Sequence, residues 1–208
     1  MSNLIERTRY LLSAHHPYQL PADDGKEVAF AGRSNAGKST TLNALTNQKG
    51  LARVSKTPGR TRQLVYFNVL PQRYLVDLPG YGYARVSRDL QTHWHAFLDH
   101  FFATRQSLHG LVVVMDIRHP LTPGDQMMLD YAAQRLLPFH VVLTKADKLG
   151  RGQQERTLVQ VQTTLQQAFG DQASAQLFSG AKRQGVAQLQ QVVSTWLALT
   201  PLADQSNE

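Results

Sequence analysis

Short apolar runs and longer mixed segments alternate along this chain. Runs with strand-like composition stand at Val28-Ala29-Phe30-Ala31, at 63–70 (QLVYFNVL), at 73–77 (RYLVD), at Leu111-Val112-Val113-Val114-Met115, at His140-Val141-Val142-Leu143 and at Ala175-Gln176-Leu177-Phe178. Between and after them, 38–45, about 88–104, a segment beginning after Pro123, about 153–169 and about 184–198 read as helices. Pro71-Gln72 leave room only for a tight turn, so the second and third runs must be antiparallel neighbours. The remaining strand–helix alternation predicts parallel strands covered on both faces. The expected fold is a three-layer α/β domain: a six-stranded, mostly parallel sheet with one antiparallel strand and helices on both faces. Residues 47–62 carry little apolar periodicity, and Pro58-Gly59 breaks any regular element there. Residues 1–24 read as an N-terminal extension docked on a domain spanning 25–200, and 201–208 as a polar tail that frays.

The turn between the first strand and the first helix carries chemistry. Gly32-Arg33-Ser34-Asn35-Ala36-Gly37-Lys38-Ser39 is a complete G-x-x-x-x-G-K-[ST] string. Such a loop works where a strand ends and a helix begins, because backbone N–H groups and the helix N-terminus then converge on a polyphosphate. Lys38 supplies charge for the β- and γ-phosphates, and the Ser39 hydroxyl is placed to ligate Mg²⁺.

Three further segments extend this reading. Asp77-Leu78-Pro79-Gly80 ends the third strand, where an Asp beside a phosphate loop can hold Mg²⁺ and the Gly80 N–H can meet a γ-phosphate. Thr61, within Gly59-Arg60-Thr61-Arg62-Gln63, stands where a second Mg²⁺-ligating hydroxyl is expected. Loops held in this way order with a triphosphate and relax after hydrolysis. Thr144-Lys145-Ala146-Asp147 follows a buried strand, and the Asp147 carboxylate can accept from N1–H and the 2-amino group of guanine, neither of which adenine offers. Lys145 can lay its stem over the base, and the backbone N–H groups of Phe178-Ser179-Gly180-Ala181 can approach the guanine O6. These elements predict binding of GTP and GDP with Mg²⁺.

In this order the elements resemble the translation-factor-class P-loop GTPases. The strings at 32–39, Thr57-Pro58-Gly59-Arg60-Thr61, Val76-Asp77-Leu78-Pro79-Gly80-Tyr81-Gly82-Tyr83-Ala84 and Thr144-Lys145-Ala146-Asp147 are similar to those of the EngB (YihA/YsxC) family of bacterial ribosome-biogenesis GTP-binding proteins, over about residues 8–200. The resemblance implies a P-loop GTPase fold and a slow GTPase acting as a switch in ribosome assembly, with the large subunit expected. It also implies a ribosomal precursor or subunit (rRNA and ribosomal proteins) as partner, a monomer, and a need for the protein in cell division and septation. The competing reading is a nucleotide-gated RNA-binding scaffold in which hydrolysis is incidental. Three positions depart from the pattern. Thr144 stands where such motifs carry Asn, and its shorter side chain puts the usual contacts to the phosphate loop and to N7 in question. Gly180 stands where the family has a second Ser. Arg62 sits before Gln63 where the family often reads Gly-Arg-Thr-Gln. Residue 81 is Tyr where Ras-like proteins place a water-orienting Gln, and a phenol on a flexible loop is a poor substitute. The resemblance suggests K⁺ as an added charge on the phosphates, with Asn35 its candidate ligand; the same Asn reads equally as a loop-capping residue. Lys38, Thr61, Gly80 and Asn35 are thus the candidates for a part in hydrolysis.

Composition narrows the setting. One α/β domain with a full core fits 208 residues. The absence of cysteine excludes disulfides and thiolate metal sites. No apolar run approaches the ~20 residues of a membrane span, and residues 1–7 lack a signal-like apolar stretch, so a soluble cytoplasmic protein is expected. The net charge of +7 favours polyanionic partners, or serves solubility alone. Arg53, Lys56, Arg60 and Arg62, with Arg85 and Arg88 further on, read either as solvated loop charge or as a polyanion contact made when the loops are ordered. His93, His95 and His100 make a poor metal set, since i and i+2 diverge on a helix and no carboxylate joins them. Trp94, Phe97, Phe101 and Phe102 read as core.

Overall fold

Strand β2 (Lys26–Gly32) is buried at every position after Lys26, and its alternate side chains serve two different layers. Ala29 and Ala31 face a core shared with Phe97, Phe101 and Phe102 of α2 (Arg88–Thr104), Met128 and Leu129 of α3 (Pro123–Gln134), and Val161 and Leu165 of α4 (Arg151–Phe169). Val28 and Phe30 face a second core with Leu42 and Leu45 of α1 (Lys38–Leu45) and Leu189 and Val193 of α5 (Val186–Trp196). Strand β5 (Leu108–Asp116) divides in the same way, Val113 and Met115 on one side, Val112 and Val114 on the other. Apolarity on both faces forces helices onto both, hence three layers. The computed structural model describes residues 4–52, 63–82 and 88–199, with the backbone alone for 88–95.

The remaining strands are β1 (Arg9–Ala14), β3 (Leu64–Leu70), β4 (Arg73–Asp77), β6 (Phe139–Thr144) and β7 (Ala173–Leu177). The sheet has seven strands in the order β1-β3-β4-β2-β5-β6-β7. Strand β3 runs against both of its neighbours, and the other pairings are parallel. The expected class and the single reversed strand are present, but the strand count was one short. The extra strand, β1, lies in the segment expected as a docked extension and pairs with β3 at the sheet edge. Its sequence hid it because a bulge at Leu11 interrupts the period of two, leaving Tyr10 and Leu11 both exposed.

The segment before β2 is tied in by a buried charge pair. Arg105, just beyond α2, donates from Nη2 to Glu27 Oε1 at 2.6 Å and to the Pro21 carbonyl at 2.8 Å. Burial pushes the Glu27 carboxyl up, and the guanidinium opposes it. A second polar group sits between β6 and β7. The buried His140 ring contacts Ser174 Oγ through Nδ1 at 2.7 Å and Gln176 Oε1 through Nε2 at 2.9 Å, while the Gln176 amide donates to the Gly185 carbonyl at 2.7 Å. Among the described residues, no helix is long and apolar enough to cross a membrane.

Candidate nucleotide site

Strands β2, β4, β5, β6 and β7 are mutually parallel, so the loops that follow them gather at one end of the sheet. The loop at 32–37 passes from β2 into α1. Asn35 and Gly37 both have positive φ, 64° and 105°, and the bend they make points the first turn of α1 back across the sheet end. Gly32 packs closely: a Cβ there would lie 2.8 Å from the Val114 carbonyl oxygen. Ser34 N–H donates to Tyr81 O at 2.9 Å and Ala36 N–H to Arg33 O at 2.9 Å, so the loop is fixed at its flank and within itself.

The phosphate end is built from β2 and β4, which are neighbours with Phe30 in register with Asp77. The Lys38 ammonium is ion-paired with Asp77, and both side chains are largely shielded from water. Ser39 lies one residue beyond Lys38 in the first turn of α1. Leu78 N–H donates to Phe30 O at 3.0 Å, carrying Pro79 and Gly80 along the loop; a Cβ at Gly80 would sit 3.4 Å from Ser34 N. Gln63 immediately precedes β3, whose Val65 pairs with Asp77, so it too lies at this end. Gly59, Arg60, Thr61 and Arg62 lie outside the described residues, as do Arg53, Lys56 and Arg85; of Arg88 only the backbone is described.

The base end is assembled by β6 and β7. The Thr144 hydroxyl lies against Ala36 O and, at 3.0 Å, Met115 O, so the contact to the loop is made in spite of the shorter side chain. It succeeds because the loop comes close: a Cβ on Gly37 would lie 3.4 Å from Thr144 Oγ1. Lys145, at φ 58°, stretches across to donate to Asn35 O at 2.7 Å and to Asp116 Oδ2 at 2.9 Å. Ala146 N–H donates to Phe178 O at 3.1 Å, joining the two base-side loops. Asp147 Oδ1 accepts from Ser179 Oγ at 2.5 Å, and Lys148 stands 3.5 Å from Oδ2. The Ser179 hydroxyl foremost, with Lys148 contributing, holds the Asp147 carboxyl below the usual carboxylate range in spite of desolvation. Ser179 and Gln184 exchange both backbone hydrogen bonds. Gly180 has a local reason: a Cβ there would lie 2.6 Å from Thr40 Cγ2 of α1.

Two features were not legible beforehand. Asp116, at the end of β5, receives Arg118 at 2.6 Å as well as Lys145; these cations, Arg118 foremost, hold its carboxyl well below the usual range. An acid at a strand end near the base motif was the available signal. Tyr81, expected as a phenol on a flexible loop, is instead buried, 8% exposed, with its O–H donating to Asp125 Oδ1 at 2.6 Å. Burial, reinforced by Asp125, pushes its ionisation far up, so the phenol stays neutral. Its proton is thus directed to Asp125 on α3, away from the role of a freely placed donor.

The chain matches the family described as 50S ribosome-binding GTPase over residues 27–145. A Xylella fastidiosa (strain Temecula1) protein described as a probable GTP-binding protein EngB is 66% identical over 199 residues, covering 96% of this chain and 98% of that one. A Xanthomonas oryzae pv. oryzae (strain PXO99A) protein of the same description is 64% identical over 206 residues, covering 98% and 100%. The crystal structure of a probable GTP-binding protein engB superposes with a TM-score of 0.66 at 20% identity, covering 84% of this chain and all of that one, a likeness of fold.

Proposed function

This chain belongs to the EngB family of GTP-binding GTPases, and from that premise we propose that it is a nucleotide-gated switch assisting assembly of the large ribosomal subunit. The observation that carries the gating half is the convergence, at one end of the sheet, of the 32–37 loop, the Lys38–Asp77 pair and the Asp147–Ser179 pair. The ribosomal half is supported by the net charge of +7 and by the family description. The domain is read as 25–200, with β1 of the preceding segment added to its sheet and 201–208 as a tail.

In this reading Lys38 moves from Asp77 to the β- and γ-phosphates when nucleotide enters, drawn by their greater charge. That frees Asp77, which with Ser39 and Thr61 offers hard oxygen donors of the kind Mg²⁺ requires. Bound Mg²⁺ supplies charge that screens the phosphate oxygens during transfer to water. The N–H groups of the loop Gly32-Arg33-Ser34-Asn35-Ala36-Gly37 cradle the phosphates, and the Gly80 N–H, carried by Leu78-Pro79, senses the γ-phosphate. Gly59, Arg60, Arg62 and Gln63 flank Thr61 in the segment that orders around the triphosphate. On the base side Asp147 gives up Ser179 for N1–H and the 2-amino group of guanine, Lys145 covers the ring with Ala146 and Thr144 behind it, and the segment Phe178-Ser179-Gly180 turns toward O6. Since Ser179 N–H is bonded to Gln184 O, the O6 contact falls to Gly180 and Ala181.

With Tyr81 committed elsewhere, intrinsic hydrolysis is slow, and K⁺, if held by the Asn35 side chain, would supply the missing charge. Impaired subunit assembly would in turn impair cell division. The test is steady-state GTP turnover with and without purified large subunits, each in K⁺ and in Na⁺ at equal ionic strength. Stimulation by large subunits, and a faster basal rate in K⁺ that Asn35→Ala removes, is the expected result. Binding without stimulation would favour a scaffold with incidental hydrolysis, and equal rates in the two salts would remove K⁺.

A further inference from the structure

We infer that Tyr81 and Asp125 together set the position of Gly80, so that the first turn of α3, outside every nucleotide motif, governs how well the site distinguishes a triphosphate from a diphosphate. The inference rests on the reading of Gly80 as the γ-phosphate contact.

Tyr81, the residue that follows Gly80, is held through both its main chain and its side chain. On one side Tyr81 O accepts from Ser34 N–H at 2.9 Å, and Tyr81 forms a parallel bridge with Arg33, which fixes the main chain beside the phosphate loop. On the other side the Tyr81 ring is buried and its O–H donates to Asp125 Oδ1 at 2.6 Å. Asp125 cannot follow a moving tyrosine. Its second oxygen accepts from Thr122 N–H and from Thr122 Oγ1, both at 2.8 Å, in the capping box that starts α3, and the side chain is buried. The ring is seated as tightly as the backbone allows, since a Cβ on Gly124 would lie 2.7 Å from Tyr81 Cδ2. Immediately beyond the anchor, Gly82 has φ 79°, so the chain leaves in a conformation that favours glycine.

Two anchors on the adjacent residue restrict Gly80. A peptide N–H contributes to a phosphate contact only within about 3.2 Å, and a displacement of about 1 Å removes it. The terminal phosphate is where that N–H acts, so loosening the anchor affects GTP and leaves GDP alone. Tyr81 and Asp125 are therefore positioning residues, acting through Gly80.

The experiment measures affinity for GDP and for a non-hydrolysable GTP analogue, with kcat and KM for GTP, on the full chain. Tyr81→Phe keeps the ring and removes the tether. Analogue affinity should fall about tenfold, the scale of one hydrogen bond to a charged group, with GDP affinity within about twofold. Asp125→Asn should stay near wild type, because the amide can turn its NH₂ toward the Tyr81 oxygen and its carbonyl toward the Thr122 donors. Thr122→Ala removes one of the two donors that hold Asp125 but keeps the tether, so it should lower the thermal midpoint and move the analogue-to-GDP ratio much less than Tyr81→Phe does. A wild-type ratio in Tyr81→Phe, or a ratio in Thr122→Ala moved as far as in Tyr81→Phe, overturns the inference. Gly80→Ala tests the underlying reading separately: if it too leaves the ratio unchanged, Gly80 does not sense the γ-phosphate.

Discussion

Asp147 is a carboxylate whose best partner in the structure is a serine hydroxyl, at 2.5 Å. In the proposed base site guanine would offer it two N–H donors in place of one O–H, which would favour the exchange. In Asp147→Asn the amide can present a donor to a donor. The expected loss of GTP affinity is about 2–5 kcal/mol, the range for breaking one partner of a buried polar contact. Xanthine carries a carbonyl where guanine has its 2-amino group, so affinity for XTP should rise. Calorimetric titration with GTP, XTP and ATP checks both directions; a retained GTP preference would place the base elsewhere. Lys38→Ala should weaken triphosphate binding more than diphosphate binding, because the ammonium acts at the far end of the phosphates. A differential of about 1.5–3 kcal/mol, that of a hydrogen bond involving a charged group, is expected, and equal losses for GTP and GDP would refute the role. The placement of the motifs that hold these residues, each beside a strand end, was legible in the sequence. Asp116, Arg118 and Asp125 were not, since what gives them meaning is which loops lie beside them, and sequence spacing does not carry that. Tyr81 shows the same limit more sharply: its motif position suggested a loop tip, and its partner lies 44 residues away.

At the scale of elements, the apolar runs located six strands and five helices to within a few residues, because burial on both faces leaves an unambiguous hydrophobic signature. The edge strand β1 carried no such signature, since its bulge exposes two apolar residues in succession. The pairing of β6 with β7 introduces a pH dependence. Burial holds the His140 imidazole below its usual value, and the ring sits neutral between Ser174 and Gln176 with no ionisable side chain among these hydrogen-bond partners. The unfolded chain takes up the proton first, near pH 6.5, so unfolding is favoured as the pH drops below that value and stability is recovered as it rises. Thermal midpoints of the nucleotide-free protein should fall between about pH 7 and 5, and His140→Gln, which keeps a neutral donor, should remove part of that slope. An identical slope in the variant would show that other groups carry it. Arg105→Ala would leave the buried Glu27 carboxyl of the central strand β2 without its cation and should cost about 3–5 kcal/mol in denaturant unfolding.

For the whole molecule, the parallel strands gather the described loops read as nucleotide-facing at one end of the sheet, while the buried Glu27–Arg105 and His140 groups brace the rest. A switch of this kind needs a rigid frame around its site. The central claim is that the γ-phosphate decides whether this molecule engages the large ribosomal subunit. Co-sedimentation of the full chain with purified large subunits, in GDP and in a non-hydrolysable GTP analogue at fixed salt, tests that claim most directly. Stable co-sedimentation with the analogue and release with GDP is the expected result, the dependence passing to a xanthine analogue in Asp147→Asn. Equal binding in both nucleotides, or none in either, would contradict it.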